Sequence, residues 1–174
     1  MFTIAYATIG GKVLKMKLLV LSDSHGELTY MQLAYEREKP DLVIHLGDLI
    51  PDAQALMQAN PGMRLLQVAG NCDGYHFDSS ISERMVTELD GVRFFITHGH
   101  KQKVKFGLML LNYAAQEAGA EVALFGHTHT AHCKKHGNLW MLNPGSCNSS
   151  RGSYGVIEIQ NKKPDCKIVW FQDM

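Results

Sequence analysis

Five times along this chain a short, predominantly apolar run ends in a glycine-flanked loop carrying aspartate, asparagine or histidine. Leu18-Leu19-Val20-Leu21 leads into Ser22-Asp23-Ser24-His25-Gly26, and the run over 41–46 leads into Gly47-Asp48. The runs over 64–69, 92–97 and 121–125 lead into Gly70-Asn71-Cys72-Asp73, His98-Gly99-His100 and Gly126-His127-Thr128-His129. Runs apolar at consecutive positions are strands covered on both faces, the pattern of a parallel sheet with helices packed against it. Amphipathic stretches between the first three runs supply those helices. One is expected over 27–38, stopped by Pro40, and another over 52–60, closed by Pro61-Gly62. Alternating strands and helices indicate an α/β chain.

The second half reads differently. Segments 83–89 and 92–97 alternate around Asp90-Gly91, a strong hairpin signal. A long helix is expected over 102–118, which makes Lys101, Lys103 and Lys105 a solvated face. Segments 139–142, 154–159 and 166–171 are expected as closing strands, with a turn over 161–164. The pattern predicts a parallel first half and an antiparallel second half. Neither a repeat nor a linker interrupts it. Residues 16–174 read as one domain, preceded by an N-terminal extension over 1–15.

Bulk properties exclude several function classes. The 174 residues can bury a core without disulfides. Lys+Arg and Asp+Glu are both 17, so the surplus of cations that a nucleic-acid binder needs is missing. A small anionic substrate stays compatible with that balance. The four cysteines form neither a CxxC pair nor a secreted disulfide framework, so a reducing cytoplasm is the expected compartment. No apolar run approaches the roughly 20 residues of a membrane span. The first residues lack the charged region and cleavage site of a signal peptide.

In open α/β folds the carboxyl ends of the strands face one crevice, so loops distant in sequence meet there. Asp23, His25, Asp48, Asn71, His98, His127 and His129 are therefore expected together. Two carboxylates, four imidazoles and one amide oxygen suit manganese, iron, nickel or zinc better than calcium, which takes oxygen alone. Seven donors exceed the needs of one ion and match two, with a carboxylate bridging a pair about 4 Å apart. Two divalent cations against two aspartates and one hydroxide leave a positive site that attracts phosphate. Asp23 and His25 are two apart, as are His127 and His129, and in extended backbone such pairs point to one side.

Asp23-x-His25, Gly47-Asp48, Gly70-Asn71, His98-Gly99-His100 and Gly126-His127-Thr128-His129, in that order, resemble the calcineurin-like metallophosphoesterases. Gly70-Asn71-Cys72-Asp73 and Asn143-Pro144-Gly145-Ser146 point to the small bacterial and archaeal phosphodiesterase branch, which includes the retromer subunit Vps29. The resemblance runs from about residue 16 to the C-terminus. It implies a four-layer α-β-β-α sandwich of two mixed sheets and two divalent metals. Manganese comes first, with nickel, iron, zinc or magnesium as the other ions. One metal would be held by Asp23, His25, Asp48 and His129. The other would be held by Asp48, Asn71, His98 and His127, with Asp48 as the bridge. The implied activity is hydrolysis of a small phosphorylated substrate, a diester above all, by a hydroxide bound between the metals. A Vps29-like interaction scaffold is the alternative, and a homodimer or homotetramer is the implied assembly.

Cys72 departs from the wider superfamily, which often places histidine there. Without a cationic form it cannot protonate a leaving alkoxide as an imidazolium does, so His100 or His76 is the expected acid. Asp48, Asn71, His98 and His100 are thus the expected catalytic residues. Asp73 is expected to cap or orient its neighbours. His45 reads as a hydrogen-bonded core residue, and His132 and His136 read as surface. Cys133, Cys147 and Cys166 read as small buried hydrophobes. Ser146 lacks the setting of a nucleophile, and the turn at Gly145 is expected to face phosphate. Specificity groups are expected in the loops after Asp73 and around Lys101.

Overall fold

The computed structural model describes residues 15–74 and 80–174. In chain order the elements are β1 (Met16–Leu21), α1 (Thr29–Glu38), β2 (Leu42–His45), α2 (Ile50–Ala59) and β3 (Leu65–Gln67). Next come β4 (Arg84–Leu89), β5 (Val92–Thr97), a 3-10 turn (Val104–Phe106), α3 (Met109–Glu117) and β6 (Val122–Leu124). The chain closes with β7 (His132–His136), β8 (Leu139–Asn143), β9 (Ser153–Gln160), β10 (Lys163–Trp170) and a 3-10 turn (Phe171–Asp173).

Among the described residues, two five-stranded sheets form, in the orders β10-β9-β1-β2-β3 and β4-β5-β6-β8-β7. Alternate residues of each buried strand serve different cores, which explains why the runs are apolar throughout. Leu18 and Val20 of β1 face the second sheet, while Leu19 and Leu21 pack beneath Met31, Ala34, Ala53 and Leu56 of α1 and α2. Phe94 and Ile96 of β5 face the first sheet, and Phe95 packs against Leu111 and Ala115 of α3. The layers are therefore α1/α2, sheet, sheet, α3, the expected four-layer sandwich.

Each sheet is mixed, which corrects the division into a parallel and an antiparallel half. In the first sheet β1, β2 and β3 run parallel, and β9 and β10 close it antiparallel. In the second, β5, β6 and β8 run parallel, flanked by antiparallel β4 and β7. The long helix expected over 102–118 is broken. Lys103 takes a left-handed φ of 52°, Gly107 has φ of 139°, and α3 starts only at Met109. The three lysines thus lie on a turn rather than a helix face. The turn expected over 161–164 narrows to Asn161 and Lys162, with Pro164 inside β10. As β10 is an edge strand, the missing N–H of Pro164 breaks no ladder. β7 was not expected at all. His136 is exposed as anticipated, but the His132 Nε2 atom is buried.

Candidate metal centre

β1 ends by handing Asp23 into a dense backbone net. The Asp23 N–H donates to the Gly47 carbonyl at 3.1 Å, and the Ser146 hydroxyl donates to the Asp23 carbonyl at 2.7 Å. Its Oδ2 accepts from the Ser22 hydroxyl at 2.6 Å and from the His127 N–H at 3.1 Å. Oδ1 is buried without a well-formed hydrogen bond and faces His129 Nε2 at 3.1 Å. His25 Nε2 and His129 Nε2 approach to 3.2 Å.

The same loop is held from below by His45. Gly47 N–H donates to His45 Nδ1 at 3.3 Å, which leaves the ring hydrogen on Nε2, 3.4 Å from the Ser24 hydroxyl. Ser24 in turn donates to Asp52 Oδ2 at 2.7 Å, and the Gly26 N–H donates to the same oxygen at 2.7 Å. Burial holds His45 down at about 4, against the pull of Asp73, Asp23 and Asp52, so it stays neutral. It is the core residue that was expected.

Asp48 follows β2 on a left-handed φ of 59°. Its Oδ1 accepts from the Cys72 N–H at 2.9 Å, and its Oδ2 lies 3.4 Å from His98 Nε2. The buried Asp73 carboxylate fixes this loop with four backbone bonds. Oδ2 accepts from Asp48 and Gly70 at 3.0 and 2.6 Å, and Oδ1 accepts from Leu49 and Ile50 at 3.0 and 2.8 Å. Asp73 therefore caps α2, whose N-terminus lacks a cap from its own residues, and ties the β2 loop to the β3 loop.

From the second sheet, His98 Nδ1 lies 2.7 Å from the Leu46 carbonyl oxygen. A carbonyl only accepts, so Nδ1 carries the hydrogen and Nε2 turns toward Asp48 Oδ2 and Asn71 Oδ1, the latter at 3.1 Å. The His127 ring lies 5.1 Å from that of His98.

Two donor groups result, each with its ligand atoms within 4.8 Å of one another: Asp23, His25, Asp48 and His129, and Asp48, His98 and His127. Asp48 belongs to both. Asn71 joins the second group through its bond to His98. All seven expected donors are therefore brought together. The pairs two apart do not act through extended backbone, because Asp23, His25, His127 and His129 all have left-handed φ between 49° and 66°. His127 and His129 divide between the two groups.

At both groups lone pairs converge without enough hydrogens between them, and the titration directions follow. Burial opposes it, but the His98 ring and the Cys72 N–H hold the Asp48 carboxyl far below the usual carboxylate range. His98 is pushed down by burial and raised further by the Asp48 and Asp23 carboxylates. The Asp23 carboxylate likewise raises His129 over the effect of burial. His127 is lowered by burial, by His98 and by Lys105. The Asp48 and Asp23 carboxylates thus draw positive charge, and the mixed nitrogen and oxygen donors of the two groups fit a divalent transition ion at each.

Glycines make the close approach feasible. A Cβ on Gly126 would strike the Ser22 hydroxyl, and one on Gly70 would lie 2.6 Å from the Asp48 nitrogen and overlap its carboxylate. Gly70→Ala is expected to cost about 1–3 kcal/mol of stability from overpacking and roughly 10- to 100-fold in metal affinity from displacing Asp48. Thermal melts and metal titration of the variant check both.

His100 lies outside the two groups. Its ring is 5.5 Å from His98 and 6.2 Å from His127, and its Nε2 is 3.5 Å from Glu83 Oε1. His76 falls outside the described residues. The Cys72 thiol is pushed up to about 11 by desolvation and by the Asp48, Asp73 and Asp23 carboxylates, so it stays neutral. The Gly145 N–H donates to Asn143 Oδ1 at 2.9 Å and is not free for phosphate, which corrects that expectation. Ser22, Ser24, Asp52 and Ser146 were missed as supports. Nothing in their local sequence marks them, since their partners are far along the chain.

The pattern of the calcineurin-like phosphoesterase superfamily domain matches residues 16–162. The probable metallophosphoesterase YsnB of Bacillus subtilis is 32% identical over 165 residues, covering 91% of each chain. Phosphodiesterase MJ0936 of Methanocaldococcus jannaschii is 29% identical over 146 residues, covering 76% of this chain and 84% of that protein. A solved structure of a predicted phosphoesterase from Streptococcus pneumoniae superposes with a TM-score of 0.74 at 32% identity, and the match covers 92% of both chains.

Proposed function

We propose, because this chain belongs to the calcineurin-like phosphoesterase superfamily, that it is a phosphodiesterase working with two divalent metal ions, manganese first among them. Asp23, His25, Asp48 and His129 hold one ion, and Asp48, Asn71, His98 and His127 hold the other. The observation that carries this reading is the Asp48 carboxylate, shared by both donor groups. Bound ions supply an acidified water and neutralise charge on the phosphate oxygens.

The chain's own residues do the rest. The Leu46 carbonyl keeps the His98 hydrogen on Nδ1, so Nε2 stays available as a donor atom. The Ser22 hydroxyl and the His127 N–H occupy Asp23 Oδ2 and leave Oδ1 facing the site. His100 is the candidate to protonate the leaving oxygen: burial and His98 lower its titration, and the Glu83 carboxylate, 3.5 Å from its Nε2, works against that lowering. Cys72 carries a proton but no charge to give with it. Rates are therefore highest with good leaving groups.

The test is metal removal. Purified protein is expected to carry up to two ions per chain and to hydrolyse bis(4-nitrophenyl) phosphate. A chelator is expected to abolish that activity, and manganese to restore it. Turnover that survives exhaustive chelation sinks the reading, as does an intact protein inert with manganese, nickel and zinc. In that last case the interaction scaffold is favoured. The exposed apolar stripe Phe106, Met109, Leu110 and Tyr113 is the feature it would use. Among the described residues no helix is long and apolar enough to cross a membrane.

A further inference from the structure

We propose that the cavity beside His100, lined by Ser82, Glu83, Arg84, Thr97, Lys101 and Gln102, receives the leaving arm of the diester and selects an arm that ends in an anion. The proposal rests on the phosphodiesterase reading and names its substrate class.

Position comes first. The cavity is about 600 Å³, within the range of pockets that hold a small ligand. It lies at the end of β5, where Thr97 immediately precedes His98. The Ala69 N–H donates to the Ser82 carbonyl at 3.0 Å, tying this wall to the loop that carries Asn71. The His100 ring adjoins both spaces: its centroid is 5.5 Å from that of His98 and 6.2 Å from that of His127, and its Nε2 is 3.5 Å from Glu83 Oε1 in the cavity lining. An arm running from a phosphorus atom at the donor groups past His100 would reach the cavity.

The lining is rich in donors and poor in acceptors. Arg84 and Lys101 bring two basic side chains against one carboxylate. That carboxylate, Glu83, already has Lys101 Nζ at 3.6 Å and His100 Nε2 at 3.5 Å. Gln102 is 9% exposed, and its Oε1 lies 3.0 Å from the Thr97 hydroxyl, which leaves its NH₂ group for the cavity. The Ser82 hydroxyl adds another donor. Arg84, Lys101 and Ser82 are exposed, so a plain alkyl arm leaves them to water and gains nothing from them, and a cationic arm would meet Arg84 and Lys101 directly. A terminal carboxylate or phosphate satisfies them with charge-assisted bonds.

The experiment compares three chromogenic diesters under manganese. These are methyl 4-nitrophenyl phosphate and its analogues bearing a carboxymethyl or a phosphonomethyl group on the leaving ring. The unmodified protein is expected to favour at least one anionic ring by about tenfold in kcat/KM, and the better of the two identifies carboxylate or phosphate as the preferred group. In the Arg84→Ala/Lys101→Ala double variant that ratio is expected to fall to about one, mainly through KM. Intrinsic reactivity cancels because the same ratio is compared in both proteins. Equal kcat/KM for all three diesters in the unmodified protein, or an unchanged ratio in the double variant, overturns the proposal. Bis(4-nitrophenyl) phosphate separates the two levels. If it is hydrolysed without any anionic preference, the cavity proposal alone fails; if no diester is hydrolysed, the phosphodiesterase reading fails and takes this proposal with it.

Discussion

Asp48→Asn is expected to lower kcat/KM for an aryl phosphodiester by about three orders of magnitude or more, some 4 kcal/mol of lost transition-state stabilisation. Both donor groups converge on this side chain, so one substitution would weaken an ion held at either. The amide can still accept from the Cys72 N–H, so the loop keeps its anchor while losing its charge. Elemental analysis should find both ions depleted. A variant that keeps one tightly bound ion and a tenth of its rate would show that the carboxylate is not shared.

Asp73→Ala is expected to be the most destabilising single change near the site, by about 4 kcal/mol. Four backbone N–H groups lose the acceptor they have among the described residues, and water has little access because Asp73 is 1% exposed. For a domain of this size that corresponds to a fall of roughly 10 °C in Tm. Activity should fall with it, since the same carboxylate positions Asp48 and Gly70. A shift below about 2 °C in a thermal melt would show that the backbone finds other partners.

Much of this site could be read before any fold was known, because buried strands write themselves as apolar runs and deliver their polar loops at one edge. The seven donors were legible for that reason, and so were the layers that cover both faces of Leu18 to Leu21. The backbone of the donors was not. Asp23, His25, Asp48, His127 and His129 all take left-handed φ, which only their tertiary partners can sustain. The division of His127 from His129 follows from that geometry. Strand β7 escaped notice because only Cys133 of its five residues joins the inter-sheet core, leaving a polar segment with no periodic signal. The helix break at Gly107 was hidden because the residues on either side of it are good helix formers. Asp73 was half-read, since its cap on α2 depends on a contact between two loops.

The order of strands in the first sheet has a consequence for how the protein is made. β1 lies at the centre of that sheet, paired with β2 on one side and β9 on the other. Its second partner is therefore synthesised only after the whole second sheet has been translated. Until then the growing chain presents an open apolar edge beside the loop that carries Asp23. Ser146, which anchors the Asp23 carbonyl, also emerges late. A ribosome-bound chain lacking β9 thus has every donor residue and an unfinished first sheet, whose open edge is prone to aggregation. The Ser146 carbonyl accepts from the Ser153 N–H at the start of β9, so the last strands to be made complete the support of the first loop.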